Sequence, residues 1–182
     1  YDGYVAPSVL QIPGAMAVAV EFNSLSKTAN MAGWRIGMAV GNAEAIAALA
    51  QGKSNVDSGI FRPLQEAAVQ ALSLPDEWTA ARNRIYQKRL EIILEGLAAA
   101  GMVTTRPRAA LYVWAKVPAG WQSSEAFALA LLEQTGVVVA AGSFFGPAGE
   151  GYVRLSVTAP TERVREAMAR LDTFLARARR IL

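Results

Sequence analysis

The chain has 182 residues, 53% of them hydrophobic and 18% charged, with a formal net charge of +3. That composition buries a core and excludes a disordered chain. The absence of cysteine excludes a disulfide framework and thiolate chemistry, and the absence of histidine leaves Lys, Tyr, Asp and Glu for any proton transfer. No apolar run reaches the length of a membrane span. Basic residues are scattered except for Arg177, Arg179 and Arg180. Arginines in the last turn of a helix favour its dipole, so nucleic acid is not the expected partner of that cluster. The first residues, Tyr-Asp-Gly-Tyr, carry no signal-peptide pattern and no initiating Met. The expectation is a cytoplasmic protein, cut or incompletely represented at its front end.

Residues 1–14 hold Gly3, Pro7, Pro13 and Gly14 and read as loop. Residues 17–22 (AVAVEF) form a short apolar run that suits a buried strand; after a polar stretch over 23–33, residues 35–40 (RIGMAV) suit a second. Asn42 starts a helix with Glu44 in its first turn, and apolar residues through Leu49 carry it toward Lys53. A polar connection over 53–59 leads to Pro63, which fits the first turn of a helix running to about Leu74. Residues 73–76 (SLPD) break it. A long helix over 77–100 stops at Gly101, with Ile85, Leu90, Ile93, Leu94 and Leu97 expected largely on one face. Beyond it, strands at 111–117, 137–140 and 152–157 alternate with helices at Ser123 or Ser124 through Leu132 and from Thr161 onward. Val164, Met168, Leu171 and Leu175 share a face of the last helix. The expected class is α/β, with a compact α+β unit after Gly101.

Chemistry concentrates between the first two expected strands, where loops at strand ends in α/β sheets usually bind ligands. Lys27 lies there in a nearly uncharged segment. An amine held among apolar groups and near another cation has a lowered pKa, and its neutral fraction is a nucleophile toward an aldehyde. Arg35, eight residues on, offers a planar fork of donors that matches a phosphate. Ser24 and Ser26 add hydroxyls, and Gly33 and Gly37 let the backbone approach a ligand. Together these groups suit an aldehyde that carries a phosphate, which describes pyridoxal 5'-phosphate. The bland alternative is a solvated loop lysine with an arginine in a surface ion pair. Arg154 sits within a short apolar strand, where an unpaired charge is costly. Its partner is either a protein carboxylate or a substrate.

The run SLSKTANMAGWRIG, residues 24–37, resembles the cofactor-attachment segment of class I/II, fold-type I, pyridoxal-phosphate-dependent aminotransferases. Its pattern is Ser-x-Ser-Lys, a spacer, then Gly-x-Arg-x-Gly. The resemblance implies that Lys27 is the Schiff-base lysine and that Ser24 and Arg35 bind the phosphate, with Ser26 a further candidate. Residues 142–156 (GSFFGPAGEGYVRLS) resemble the family's C-terminal stretch, which implies that Arg154 grips the substrate α-carboxylate. The fold implied is the C-terminal part of such a transferase: the end of the large mixed-sheet domain over 1–76, an interdomain helix over 77–101 and a small α+β domain over 102–182. Residues 2–15 and 53–61 look most like the branch that includes LL-diaminopimelate, aspartate and alanine-type aminotransferases.

The implied activity is transamination between an amino acid and a 2-oxo acid by a homodimer, with neither nucleic acid nor membrane as a partner. Where many relatives have Pro-Gly, this chain has Ala141-Gly142. The family's carboxylate for the pyridine nitrogen, and a tyrosine three residues after it, fall upstream of Tyr1, as do the glycine-rich phosphate loop and the ring-stacking aromatic. The chain alone is therefore expected to be inactive. Asp2 and Tyr4 have the wrong spacing for that pair and read as loop residues. In the family the 54–61 segment lies near the dimer interface, so Asn55 or Ser58 is a candidate contact to a partner's cofactor, with an ordinary loop as the alternative. The glycines at 142, 146, 149 and 151 lack the spacing of a nucleotide-binding turn and lead into a strand. Competing functions are a β-lyase on the same cofactor, a non-catalytic dimerisation or regulatory domain that keeps the scaffold, and a basic module for anionic partners.

Overall fold

A computed structural model describes residues 1–179. The chain divides into two compact units, one from Val5 to Ala80 and one joining Tyr1–Tyr4 to the residues from Ala81 onward.

In the first unit, strand β1 (Val20–Ser24) and strand β2 (Gly37–Gly41) pair antiparallel, from Val20 opposite Gly41 to Ser24 opposite Gly37. Between them lie a single helical turn, α1 (Leu25–Thr28), and a 3-10 turn at Ala32–Trp34. Helices α2 (Ala43–Ser54) and α3 (Arg62–Leu72) follow. Their starts are as expected: Asn42 accepts the Ala45 N–H at 2.8 Å, and Pro63 sits in the first turn of α3. The first strand begins three residues later than expected. Gly14 takes a left-handed conformation (φ 82°) and Ala19 N–H donates to the Ala15 carbonyl, so the chain is still turning at Ala17. The strands are also not buried as expected, since Phe22 is 72% exposed. A two-stranded ladder gives each strand one neighbour and leaves much of both faces open. The small core of this unit is Leu25, Met31, Ile36 and Ala68, with Leu64 and Ala71 of α3 against it.

The second unit is built on α4 (Asp76–Ala99), whose first turns belong to the Val5–Ala80 unit. Leu90, Ile93 and Leu97, spaced three and four apart, are buried. Ile85 departs from the expected face and is half exposed, because five residues from Leu90 carry it well round the helix. Strands β3 (Tyr112–Lys116), β4 (Ala140–Ala141) and β5 (Tyr152–Ser156) form an antiparallel sheet in the order β3-β5-β4. Helices α5 (Ser124–Thr135) and α6 (Thr161–Ala178) complete it. Strand alternation sends Val113, Ala115, Val153 and Leu155 into a core shared with Leu90, Ile93, Leu97, Phe127, Leu131, Met168 and Leu171. Each large apolar side chain buried there contributes about 1.5–3 kcal/mol. All four apolar positions read on the last helix are buried. Strand β4 starts later than residue 137, because Val137 N–H is taken by the Thr135 hydroxyl at 3.1 Å. Arg179 donates to the Ala100 carbonyl at the end of α4, which gives one member of the C-terminal arginine cluster a fixed structural partner; Arg180 lies outside the described residues. No helix among the described residues is long and apolar enough to cross a membrane.

Candidate functional site

The loop joining β1 to β2 is closed by its own backbone. Leu25 N–H donates to Ile36 O at 3.2 Å, and both Ala29 and Met31 N–H donate to Leu25 O. Buried Leu25, Met31 and Ile36 anchor it on α3. Ser24 caps α1, its hydroxyl accepting the Ser26 N–H at 3.2 Å. Lys27, two residues beyond buried Leu25, projects about 200° round the helix from it and is exposed. The apolar surroundings expected for this amine are thus not supplied by its own loop, whose apolar side chains turn the other way.

Arg35 takes a left-handed backbone conformation (φ 52°), uncommon for a residue other than glycine. Its guanidinium folds back over the loop, donating to Ala32 O at 2.8 Å and reaching the Ser26 hydroxyl at 3.5 Å. The structure therefore brings Ser26 and Arg35 together, while Ser24 Oγ accepts the cap hydrogen bond of α1 and keeps its own hydrogen to donate. A Cβ on Gly37 would meet Asn23 O at 2.6 Å, so the close pairing of β2 with β1 at this point needs glycine. No Asp or Glu occurs between Glu21 and Glu44. One guanidinium, one ammonium and two hydroxyls with no carboxylate among them make a donor set that fits a phosphate carried on an aldehyde.

Arg154 lies in β5 of the other unit, on the sheet face opposite the core, with Trp114 as its cross-strand partner. Its guanidinium carbon stands 4.0 Å from the centre of the Tyr112 ring and 4.1 Å from that of Phe145. Trp114 meets Phe145 edge to face at 5.3 Å. Among the described residues Arg154 has no carboxylate partner, so the protein carboxylate offered as one alternative by the sequence is not present there; its neighbours are the rings of Tyr112 and Phe145. Sequence reading does not single out Tyr112 or Phe145. Alternation along β3 puts Tyr112 on the open face, but the register that sets it beside Arg154 is a non-local property. Trp114, Phe145, Ala148, Gly149 and Tyr152 line a groove of about 480 Å³ on this face.

Phe145 is carried by the 142–151 loop, which consists of 3-10 turns at Gly142–Phe145 and Pro147–Gly149. A Cβ on Gly142 would stand 1.9 Å from Gly149 O, so these glycines serve packing of the loop on itself. Glu150 ties the loop to α5. It accepts from Ser124 N–H at 2.6 Å, Gly151 N–H at 2.8 Å and the Ser124 hydroxyl at 3.1 Å. The Ser124 N–H, followed by that of Gly151, holds the Glu150 carboxyl below the usual range.

Asn55 ends α2, with its amide donating to Gln51 O at 2.8 Å. Beside it, Lys53 and Asp57 pair at 2.5 Å, and that hydrogen bond lowers the Asp57 pKa. Ser58 is exposed. Asp2 accepts from Gln87 and Arg106, and Tyr4 lies 3.8 Å under the Arg108 guanidinium, so both are packed within their own unit.

By comparison with known proteins the chain belongs to the aminotransferase class I and II family, which it matches over residues 2–171. That family depends on pyridoxal phosphate in general. Among individual relatives, the LL-diaminopimelate aminotransferase of Gloeobacter violaceus is 48% identical over 172 residues, an alignment that takes in 94% of this chain and 44% of that protein. A solved structure of a probable N-succinyldiaminopimelate aminotransferase from Thermus thermophilus superimposes with a TM-score of 0.87 at 37% identity, over 93% of this chain and 45% of that one. An aromatic aminotransferase from Pyrococcus horikoshii gives 0.91 at 29% identity, over 98% and 48%. The chain thus has the mixed α/β fold of fold-type I aminotransferases over part of their length, and it spans about 44% of the length of the first of these relatives.

Proposed function

We propose that a protein of its relatives' full length that includes this chain, the full-length protein below, transfers amino groups between an amino acid and a 2-oxo acid with pyridoxal 5'-phosphate. The observation that carries this reading is the carboxylate-free loop in which Arg35 folds back onto Ser26 beside Lys27. In this reading Val5–Ala80 is the end of the large cofactor-binding domain and the sheet-bearing unit is the small domain. The 48% identity to an LL-diaminopimelate aminotransferase supports an amino donor of that branch.

When bound, the cofactor supplies an aldehyde and a conjugated ring that acts as an electron sink. Arg35, Ser26 and Ser24 hold its phosphate. Lys27 Nζ would hold its aldehyde carbon while no substrate is present. Lys27 Nζ, once free, would be the base that takes the proton from the substrate α-carbon. Arg154 receives the α-carboxylate and orients the α-hydrogen toward that amine. Self-association as a homodimer and a cytoplasmic location belong to this reading; exposed Val56 and Phe61, in the connection from α2 to α3, are apolar surface that a second copy would cover.

Lys27→Ala in the full-length protein is expected to abolish both the visible absorbance of the bound cofactor and transamination. Persistence of that absorbance band would make another lysine the carrier and overturn the assignment.

A further inference from the structure

We infer that Tyr112 and Phe145 are positioning residues that hold the Arg154 guanidinium flat between their rings so that its N–H edge stays open to a carboxylate. This rests on the assignment of Arg154 to the substrate carboxylate in the reading above.

A guanidinium carries its five donors in its own plane, and its two faces carry none. The usual way to keep an arginine in a short apolar strand is a carboxylate, and a bidentate carboxylate consumes the in-plane donors. Here the partners are aromatic, with the guanidinium carbon over both rings, 4.0 Å from the centre of Tyr112 and 4.1 Å from that of Phe145. Aromatic faces attract a cation without accepting its N–H groups. The cation is thus held while its fork remains unspent; among the described residues no ion pair or side-chain hydrogen bond draws on it.

Each ring is itself fixed. Tyr112 belongs to β3, paired with Ser156 across the ladder. Phe145 is braced edge-on by Trp114, the residue directly opposite Arg154, and its loop is pinned by Glu150 to Ser124. The plane of the fork is therefore set by the sheet before any ligand arrives, and such preorganisation lowers the entropic cost of binding.

The test uses the full-length protein with Phe145→Leu and Tyr112→Leu, and the ring-preserving Phe145→Tyr and Tyr112→Phe. Phe145 is 47% exposed, so its truncation leaves no closed cavity and the fold is retained. Loss of either ring is expected to raise KM for both the amino acid and the 2-oxo acid about threefold to thirtyfold, with kcat and the cofactor band unchanged. The ring-preserving variants are expected to behave as the parent. Affinity for a simple monocarboxylate, titrated with no second substrate present, should fall by the same factor, and Arg154→Lys should show how much binding survives without the fork. Unchanged KM and carboxylate affinity in both leucine variants would overturn the clamp. So would equal losses in the leucine and the ring-preserving variants. A parent protein that binds carboxylate through Arg154 but transfers no amino group would overturn the transamination reading and leave the clamp standing.

Discussion

Glu150 shows how one side chain outside the candidate site sets a residue within it. Its carboxylate takes both polar hydrogens of Ser124 and the Gly151 N–H, and Ser124 Oγ in turn accepts from Ser143 N–H at 3.3 Å. Phe145 lies two residues beyond Ser143. Because the folded-state pKa of Glu150 is depressed, its contribution is present above the ordinary glutamate value of about 4.3 and is lost as pH falls through the lower folded value. The full-length protein is therefore expected to lose melting temperature on that acid limb, and Glu150→Gln to flatten it while lowering stability near neutrality. Melting curves from pH 3 to 7 for both proteins check this; identical limbs would mean that Glu150 carries no proton linkage. At this scale the sequence was informative where chemistry is local. Lys27, Arg35 and the two serines share one loop, so their clustering is visible in the sequence, while the roles proposed for them come from the family resemblance. Tyr112 and Phe145 could not be found that way, since each meets Arg154 only through chain pairing.

Among the elements, α5 resolves a choice between two adjacent serines. Ser123 is the cap, its hydroxyl accepting the Ala126 N–H at 3.0 Å, whereas Ser124 is fully buried and bonded to Glu150. Ser123→Ala is expected to cost about 1 kcal/mol, the usual value for a lost N-cap. Urea unfolding checks it, with a shifted midpoint and an unchanged slope; no shift would mean that water replaces the cap without loss. Helix ends were readable for the same reason that this cap matters: Asn42, Pro63, Gly101 and Gly136 act on the backbone within a turn of where they stand. Strand ends were less so. The late start of β1 depends on the hydrogen bond from Ala19 to Ala15, and that of β4 on the Thr135 hydroxyl. The order β3-β5-β4 has no local signature, since β5 enters between two strands that precede it in the chain.

On the scale of the whole molecule, the two units differ in what holds them. Among the described residues, one core gathers eighteen buried residues from α4, α5, α6, the sheet and the segments that flank them; the other gathers four, chiefly from the loop that carries Lys27 and from α3. Backbone ordering costs about 1–2 kcal/mol per residue wherever it occurs, so the unit with fewer buried side chains has less to offset it. Amides of β1, β2 and α1 are therefore expected to exchange with solvent deuterium well before those of β3, β5 and the Leu90–Leu97 stretch of α4. One rate for both sets would show a single cooperative transition instead. If the Val5–Ala80 unit holds the phosphate, a ligand that binds only its folded form adds about 2.7 kcal/mol at a hundred times its dissociation constant. In the full-length protein, saturation with pyridoxal 5'-phosphate should then slow exchange at Leu25, Ala29 and Met31, whose N–H groups close the loop, more than at Phe127 or Leu171. Equal slowing at all five would place the added stability outside this loop and remove the phosphate from Arg35.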